Sequence, residues 1–129
     1  MDVALEVWSA DIDRLTETAR LADRLGLHAL YLGESPNGLN LDCFTTLAAL
    51  ASVTEQLRVG PVIACIVHDY RSLALLAKQA ATVAVVSGGR FDFRTGVGAA
   101  RAFGSTWWEP FGVRYGAYDQ RLALSLIHI

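Results

Sequence analysis

The sequence predicts an α/β protein whose strands run parallel, and three observations support this. Four segments with the apolar, β-branched or aromatic composition of strands begin near residues 3, 27, 57 and 90. Segments with helical spacing of apolar residues separate them, so each connection is long enough for a parallel crossover. The hydrophobic fraction is 53%, as expected when parallel strands are buried on both faces.

Length and charge exclude several classes of protein. A chain of 129 residues is about one domain, and its net charge of -2 offers no basic surface for nucleic acid or an anionic membrane. The longest apolar stretch, Leu73–Val86, contains Lys78 and Gln79 and is shorter than the ~20 residues of a spanning helix. Asp2 and Glu6 stand where a signal peptide is basic. We therefore expect a cytoplasmic protein with neither nucleic acid nor membrane as a partner.

Cysteines and histidines indicate neither a disulfide framework nor a metal centre. The chain has two cysteines, Cys43 and Cys65, which do not make a disulfide framework. We expect both to be reduced and mostly buried thiols. His28, His68 and His128 lack the spacing of metal ligands, so no metal site is expected.

The first two strands each lead into a predicted helix. Residues 3–8 form the first strand, and Ser9 or Asp11 can cap the helix that follows. That helix has an apolar face and ends at Gly26, a residue suited to a helix C-terminus. Residues 27–32 form the second strand and lead into a polar loop.

The second half of the chain repeats the pattern. Asp42 can cap the second helix and Ser72 the third. The third strand, residues 57–67, is interrupted by Gly60 and Pro61, because proline cannot donate to a ladder and makes a buried strand irregular.

Ser87, Gly88 and Gly89 then stop the third helix, and residues 90–97 form the fourth strand. A long loop, residues 99–116, leads to a fourth helix that begins near Ala117. Gly96 and Gly98 lie at the exit of the fourth strand, where the missing Cβ lets a backbone or a flat ligand come close.

Two architectures fit this order of elements. One is an open, doubly wound sheet, and the other is half of a (β/α)8 barrel, which needs ~250 residues when complete. The sequence GVGAAR lacks the third glycine of a dinucleotide-binding fingerprint, which has Arg101 in its place.

Ligands bind beyond the carboxyl ends of the strands in either architecture. Glu34 and Ser35 lie there, and Glu34 could act as an acid/base or orient a substrate. The alternative is that these residues only form a turn before Pro36. The polar loop of residues 67–71 is the second candidate, with a solvated loop as its alternative. Trp107 and Trp108 are adjacent in the long loop, and such residues often form a lid or line an aromatic pocket. The alternative is that further parts of the chain cover them.

Three stretches together resemble one family. ADRLGLHALYLGES, LRVGPVIACIV and AKQAATVAVVSGGRFDFRTGVG are similar to the luciferase-like flavin-dependent oxidoreductases, that is, bacterial-luciferase-type monooxygenases and their deazaflavin-dependent relatives. The resemblance runs from about Val3 to Leu122. It implies the N-terminal half of a (β/α)8 TIM barrel, with four parallel strands and about three and a half helices, and so favours the barrel over the open sheet.

The resemblance also implies a cofactor and its site. The cofactor is FMN or the deazaflavin coenzyme, whose ring in this family rests on a non-proline cis peptide, matched here by residues 61–63. The positions that the resemblance places around the flavin are Ser35, Val62, Ile63, Ala64, Cys65, Gly96 and Gly98.

If the protein is such an enzyme, we expect Glu34, His68 and Arg101 to be polar groups near ring or substrate, and Tyr70 and Trp107 to pack around a small organic substrate. The reaction would be hydride transfer or oxygen activation, in a parent protein that is a homodimer. Two positions depart from the family: no histidine stands at Glu34 or Ser35, and Arg101 replaces an acid of some deazaflavin-dependent members.

The end of the chain departs as well. Residues 1–123 are expected to be a partial barrel, whereas residues 124–129, LSLIHI, do not resemble the family and are expected to be non-native, or else a genuine apolar helix turn. Alternatives to the enzyme are a non-catalytic, doubly wound ligand-binding module and an inactive gene fragment. We expect the 129-residue chain alone to bind flavin weakly and to aggregate or dimerise, because half a barrel leaves open strand edges.

Overall fold

A computed structural model describes residues 1–36, 39–67, 69–98, 106–114 and 116–126. Strands and helices alternate as the sequence predicts, although every strand is shorter than expected. The strands are β1 (Ala4–Val7), β2 (Ala29–Leu32), β3 (Arg58–Pro61), β4 (Ala64–Cys65) and β5 (Thr95–Gly96). The helices are α1 (Ile12–Arg24), α2 (Cys43–Ser52), α3 (Leu73–Val86), a 3-10 turn (Glu109–Phe111) and α4 (Tyr118–Leu126).

All the strands pair in parallel. β2 lies between β1 and β3, and β4 pairs with β5. A bridge between Val59 and Phe91 joins the two ladders, so that the chain presents its strand segments in sequence order. Because all the pairs are parallel, the loops that follow the strands lie at one edge of the array.

The main core lies between the strands and one layer of helices. β-strand side chains such as Leu30 and Val59 are fully buried there against Leu15, Leu47 and Val83 of the three long helices. The opposite face of the strands is polar. Tyr31 Oη donates to Asp92 Oδ2 at 2.9 Å, and Arg58 Nε donates to Asp92 Oδ1 at 2.8 Å.

Burial on both faces, expected from composition, is found in β2 but not in β1. All four residues of β2 are buried, since it has a strand on each side. β1 lies at an edge, and its residues alternate between exposed and half-buried.

Local sequence determines the helix ends as predicted. Asp11 accepts from the Arg14 N–H at 3.0 Å, Asp42 from Thr45 at 2.8 Å, and Ser72 from Leu75 at 3.2 Å. Of the two candidate caps for α1, Asp11 is therefore the one used. Gly26, Gly88 and Gly89 follow the ends of α1 and α3 with φ of 71°, 61° and 85°, a region that favours glycine.

The prediction for the third strand is wrong about where it breaks. Gly60 and Pro61 lie inside β3, and the interruption falls at Val62 and Ile63, which a cis peptide bond joins. The expectation of a non-proline cis peptide at residues 61–63 is thereby confirmed. Glycine is needed at position 60 because a Cβ there would lie 2.2 Å from the backbone oxygen of Asp92.

The fourth strand is shorter than predicted, because its partner changes along its length. Asp92 N–H donates to β3 at Val59, whereas the Arg94 carbonyl accepts from β4 at Ala64, both at 2.9 Å. Between these two contacts, the facing segment of the chain is the break at residues 62–63. Within the predicted fourth strand, β5 is therefore the part that keeps a regular ladder.

Towards the end of the described chain, the helical backbone of α4 continues to Leu126 and so crosses the boundary predicted at residue 123. Within the described residues, no helix combines the length and the apolar character that crossing a membrane requires.

Candidate functional site

The carboxyl ends of β2 and β4 meet around one buried carboxylate. Glu34 follows β2, and its side chain is 1% exposed. Its Oε2 accepts from the backbone N–H of Cys65 at 2.7 Å, and its Oε1 pairs with the guanidinium of Arg71. These contacts tie the loop after β2 to β4 and to the residue before the cap of α3.

Burial controls the ionisation of this cluster. It raises the pKa of Glu34 above its ordinary range, although Arg71 and the Cys65 N–H act in the opposite direction. It also raises the pKa of the Cys65 thiol to about 12 and that of the Cys43 thiol further. Both cysteines are buried and unpaired, as predicted, and neither is a thiolate nucleophile at neutral pH.

Arg71 is itself nearly enclosed, with 6% of its side chain exposed. Its guanidinium lies 4.9 Å from the ring centres of both Phe44 and Tyr70, and its Nη2 lies 4.0 Å from a carboxylate oxygen of Asp42. Nη2 is used by Glu34, whereas Nη1 is buried and has no hydrogen-bond partner within the described part of the chain.

Two cavities adjoin this cluster. One, of about 440 Å³, opens between the end of β4 and the start of α3. The other, of about 430 Å³, lies between the loop after β2 and residues 111–113. Asp69 and Tyr70 border both cavities. The first is also lined by Cys65, Ile66, Val67, Arg71, Ser72, Leu73 and Leu76, and the second by Ser35, Pro36, Asn40, Asp42, Phe111 and Val113.

Residues 106–114 form a wall over this edge of the strands. Trp108 is buried and meets the ring of Tyr70 edge-on, with 4.8 Å between ring centres. Trp107 is half-buried against the same group of side chains. Arg114 donates to the carboxylate of Asp69 through Nε and Nη2. These two bonds connect residues 106–114 to the loop after β4.

The structure brings some predicted site residues together and separates others. Cys65 and Tyr70 line the first cavity, and Glu34 accepts a hydrogen bond from the Cys65 N–H beside it. Ser35 borders the second cavity. Ala64 is fully buried in the main core. His68 and Arg101 lie outside the described residues.

The remaining predicted positions lie where the two ladders join. Val62 and Ile63 are half-buried. A Cβ at Gly96 would lie 1.8 Å from Cδ1 of Ile63, so glycine at this position makes room for a side chain of the break between β3 and β4. Gly98 has a φ of 76°, in the region that favours glycine.

Sequence reasoning missed two buried arginines. Arg71 has one signal, since it is a charged residue at the exit of a strand and directly before a helix cap. Arg121 has none in the sequence. Its side chain donates to the carbonyls of Val97 and Gly116 at 2.6 and 2.8 Å and so joins α4 to the end of the fourth strand.

Comparison with known proteins assigns the class. The model of the luciferase-like monooxygenase family matches residues 2–124. The chain therefore belongs to the luciferase-like monooxygenase family, which confirms the resemblance drawn from its strand and helix motifs.

Among curated proteins, the chain is 33% identical over 93 residues to the oxygenase component of a flavin-dependent trigonelline monooxygenase from Acinetobacter baylyi. The match covers 67% of this chain and 24% of that protein. The chain thus spans about a quarter of the length of this relative.

Solved structures show the same fold. Monooxygenase RslO1 from Streptomyces bottropensis superposes with a TM-score of 0.77 at 22% identity, over 96% of this chain and 39% of that one. The oxygenating constituent of 3,6-diketocamphane monooxygenase from Pseudomonas putida, in complex with FMN, gives 0.76 at 16%, over 98% and 38%. A coenzyme F420 dependent tetrahydromethanopterin reductase from Methanopyrus kandleri gives 0.71 at 21%, over 88% and 30%. The predicted partial (β/α)8 barrel is confirmed.

Proposed function

We propose that the protein is a flavin-dependent oxidoreductase that uses FMN or the deazaflavin coenzyme F420 on a small organic substrate. The observation that carries this proposal is the cavity of about 440 Å³ at the carboxyl end of β4, in a chain whose residues 2–124 match the family. Relatives described as flavin-dependent, as an FMN complex and as F420-dependent support the choice of cofactor.

The residues at this edge suit a flat, largely apolar ring with polar atoms at its rim. The cavity has apolar walls from the end of β4 and from α3, and Asp69, Tyr70, Arg71 and Ser72 add polar groups to its lining. When bound, the ring would supply hydride transfer or oxygen activation. Of the residues proposed to hold the flavin, Cys65 lines this cavity, whereas Ser35, Val62, Ile63, Gly96 and Gly98 are proposed to contact the cofactor from outside it. Ala64 is fully buried in the main core and is not a contact.

Glu34 is better suited to orientation than to proton transfer. Both of its carboxylate oxygens already hold protein groups, the Cys65 N–H and the Arg71 guanidinium. His68 and Arg101 stay the proposed catalytic polar groups. Tyr70 and Trp107, which pack against the same buried cluster of side chains, are proposed to pack around the substrate.

Titration of the full natural chain with FMN and with F420, followed by fluorescence, tests the proposal. We expect saturable binding of one of the two. Leu73 lines the cavity, whereas Leu75 on the same helix is 48% exposed and does not. Leu73→Trp should therefore weaken binding and Leu75→Trp should leave it unchanged. Binding of neither cofactor would favour a non-catalytic binding module instead.

We also propose that the parent protein is a cytoplasmic homodimer whose partner molecules are small, with neither nucleic acid nor membrane among them, and that residues 124–129 are not part of its barrel. The net charge of -2 supports the absence of polyanionic partners. Light scattering after size exclusion of the full natural chain should give twice the monomer mass, and a monomer mass would contradict the dimer.

A further inference from the structure

Trp8 lies on the face of the strands that points away from the helices. Leu5 and Val7 of β1 pack against the main core, whereas Glu6 between them is exposed. Because side chains alternate along a strand, Trp8 shares the face of Glu6, and its Nε1–H donates to Oε1 of Glu6 at 2.8 Å. Trp8 directly follows β1, so it stands at the carboxyl edge, where ligands bind in this class of fold.

The backbone at Gly33 supports the indole ring of Trp8. A Cβ at Gly33 would lie 2.1 to 2.4 Å from three neighbouring atoms of the ring, so one face of the indole covers this glycine. Trp8 is nevertheless 46% exposed, a fraction large enough for its opposite face to be accessible in the described part of the chain. A tryptophan fixed in this way offers a rigid apolar surface on which a second flat ring can stack.

A polar layer lies on the same face of the strands, on the amino-terminal side of Trp8. Glu6 pairs in register with Tyr31, whose hydroxyl donates to Asp92 at 2.9 Å. The guanidinium carbon of Arg94 lies 3.9 Å from the centre of the Tyr31 ring. Since these side chains occupy the face next to Trp8, a ligand reaches the indole from the carboxyl edge.

Trp8 lies to the side of most of the proposed flavin contacts. These contacts lie at the break after β3 and in the segments that follow it, whereas β2 separates β1 from β3. Neighbouring strands lie about 4.8 Å apart, which puts roughly 10 Å between β1 and the break. A ring on the indole would thus lie beside a flavin held at the break, in the position of a substrate.

We propose that Trp8 is a substrate-binding residue whose exposed indole face stacks on a planar ring of the organic substrate. Gly33 is the residue that positions it, since a side chain there would displace the indole from the backbone. This inference rests on the proposed function for calling the ligand a substrate, whereas the accessible ring at the carboxyl edge stands without it.

Three variants of the full natural chain test this proposal. Trp8→Leu removes the ring, and Gly33→Ala keeps the ring but forces it away from the backbone. Phe93→Leu is the matched control, because Phe93 is 47% exposed, contacts Phe44 of α2 and borders neither of the two cavities. Thermal melting shows which variants fold.

The probes are benzamide and cyclohexanecarboxamide, which carry the same amide on a planar and on a puckered ring. Their affinities are measured by ligand-observed NMR. Contact with Trp8 is followed by fluorine NMR of protein labelled with 5-fluorotryptophan, in which Trp8→Leu identifies the Trp8 signal by its absence. FMN and F420 are titrated separately by fluorescence.

We expect benzamide to shift the Trp8 signal and to bind about fivefold more tightly than cyclohexanecarboxamide, the effect of one aromatic contact. Trp8→Leu and Gly33→Ala should each weaken benzamide binding by about the same factor and leave cofactor binding unchanged. Phe93→Leu should change neither.

The proposal is overturned if benzamide leaves the Trp8 signal unshifted, because the ring would then be covered by the rest of the chain or bind no planar molecule. Weaker cofactor binding in Trp8→Leu would overturn it as well, since the indole would then contact the flavin instead of the substrate. If wild-type protein binds neither FMN nor F420, the proposed function fails, and the benzamide titration alone decides whether Trp8 binds a planar ring.

Discussion

Three arginines join parts of this chain that are distant in sequence. Arg71 pairs with Glu34 and connects two strand ends, and Arg90 caps the carbonyls at the end of α2. Arg121 connects α4 to the fourth strand. A guanidinium that loses contact with water is stabilised by protein acceptors, so each of these contacts helps to fix the position of a loop.

The Glu34–Arg71 pair gives the first prediction. Glu34→Gln leaves Arg71 buried without its carboxylate, and loss of one partner of a buried ion pair costs about 3 kcal/mol. We expect a loss of unfolding free energy of that size in denaturant titrations.

Arg114→Gln is the control for this prediction. It breaks the pair between Arg114, whose side chain is 85% exposed, and Asp69. Solvent screens exposed pairs and leaves them little net effect on stability, so this variant should be nearly as stable as wild type. Equal losses in the two variants would contradict the prediction, because the buried Glu34–Arg71 pair would then stabilise the fold no more than the exposed Arg114–Asp69 pair does.

At the residue scale, what the sequence could predict was local. The caps Asp11, Asp42 and Ser72 bind N–H groups three residues away, so their roles follow from the neighbouring sequence. The partner of Arg71 is 37 positions away, and no local pattern identifies it. The Glu34–Arg71 pair forms because the strands place the loops after β2 and β4 at the same edge, and only the folded structure shows this.

Among the elements, β3 and the fourth strand approach each other closely at Gly60. A Cβ there would lie 2.2 Å from the backbone oxygen of Asp92, so Gly60→Ala requires the two strands to separate. We expect a loss of about 3 kcal/mol, at the upper end for overpacking, because backbone rather than a flexible side chain must shift.

Gly26→Ala provides the comparison for this substitution. Gly26 has a φ of 71° and nothing within 4 Å of its would-be Cβ, so the only cost is the left-handed backbone, about 1 kcal/mol. Thermal or urea unfolding of both variants measures the difference. A loss in Gly60→Ala no larger than in Gly26→Ala would contradict the close approach.

Asp23 links α1 to the start of β3 and gives a pH prediction. Burial acts to raise the pKa of Asp23, but N–H groups from Glu55, Gln56 and Leu57 outweigh it and hold the pKa below the ordinary value. The unfolded chain therefore binds more protons in acid than the native chain does. The stabilisation is present above the unfolded pKa of about 3.9 and is lost as pH falls through the lower native value.

Unfolding at a series of pH values checks this expectation. Wild-type stability should fall below about pH 4, and Asp23→Asn should show a shallower fall because its side chain does not titrate. Identical slopes in the two proteins would mean that Asp23 does not contribute to the acid transition.

The order of elements was predictable because each helix and strand has its own periodicity and end signals. Strand lengths were not predictable in the same way. Residues 90–97 have the composition of a long strand, but their partner changes from β3 to β4 at the break after Pro61. The length of a paired strand depends on both partners, so the sequence of one strand alone does not predict it.

At the scale of the whole molecule, the strands form part of a (β/α)8 barrel with helices on one face and charged side chains on the other. The motifs of three segments were enough to predict this architecture. The composition of the site was predicted only in part, because its cavities are lined from three places in the chain: the loop after β2, the stretch from β4 to the first turn of α3, and residues 111–113.

The most direct test of the proposed function is hydrogen exchange of the full natural chain, with and without FMN or F420. If the flavin binds at the carboxyl edge, protection should increase in residues 34–36 and 62–71, while α1 and β1 stay unchanged. Binding without protection at 62–71, or no binding of either cofactor, would contradict the assignment of this edge as a flavin site.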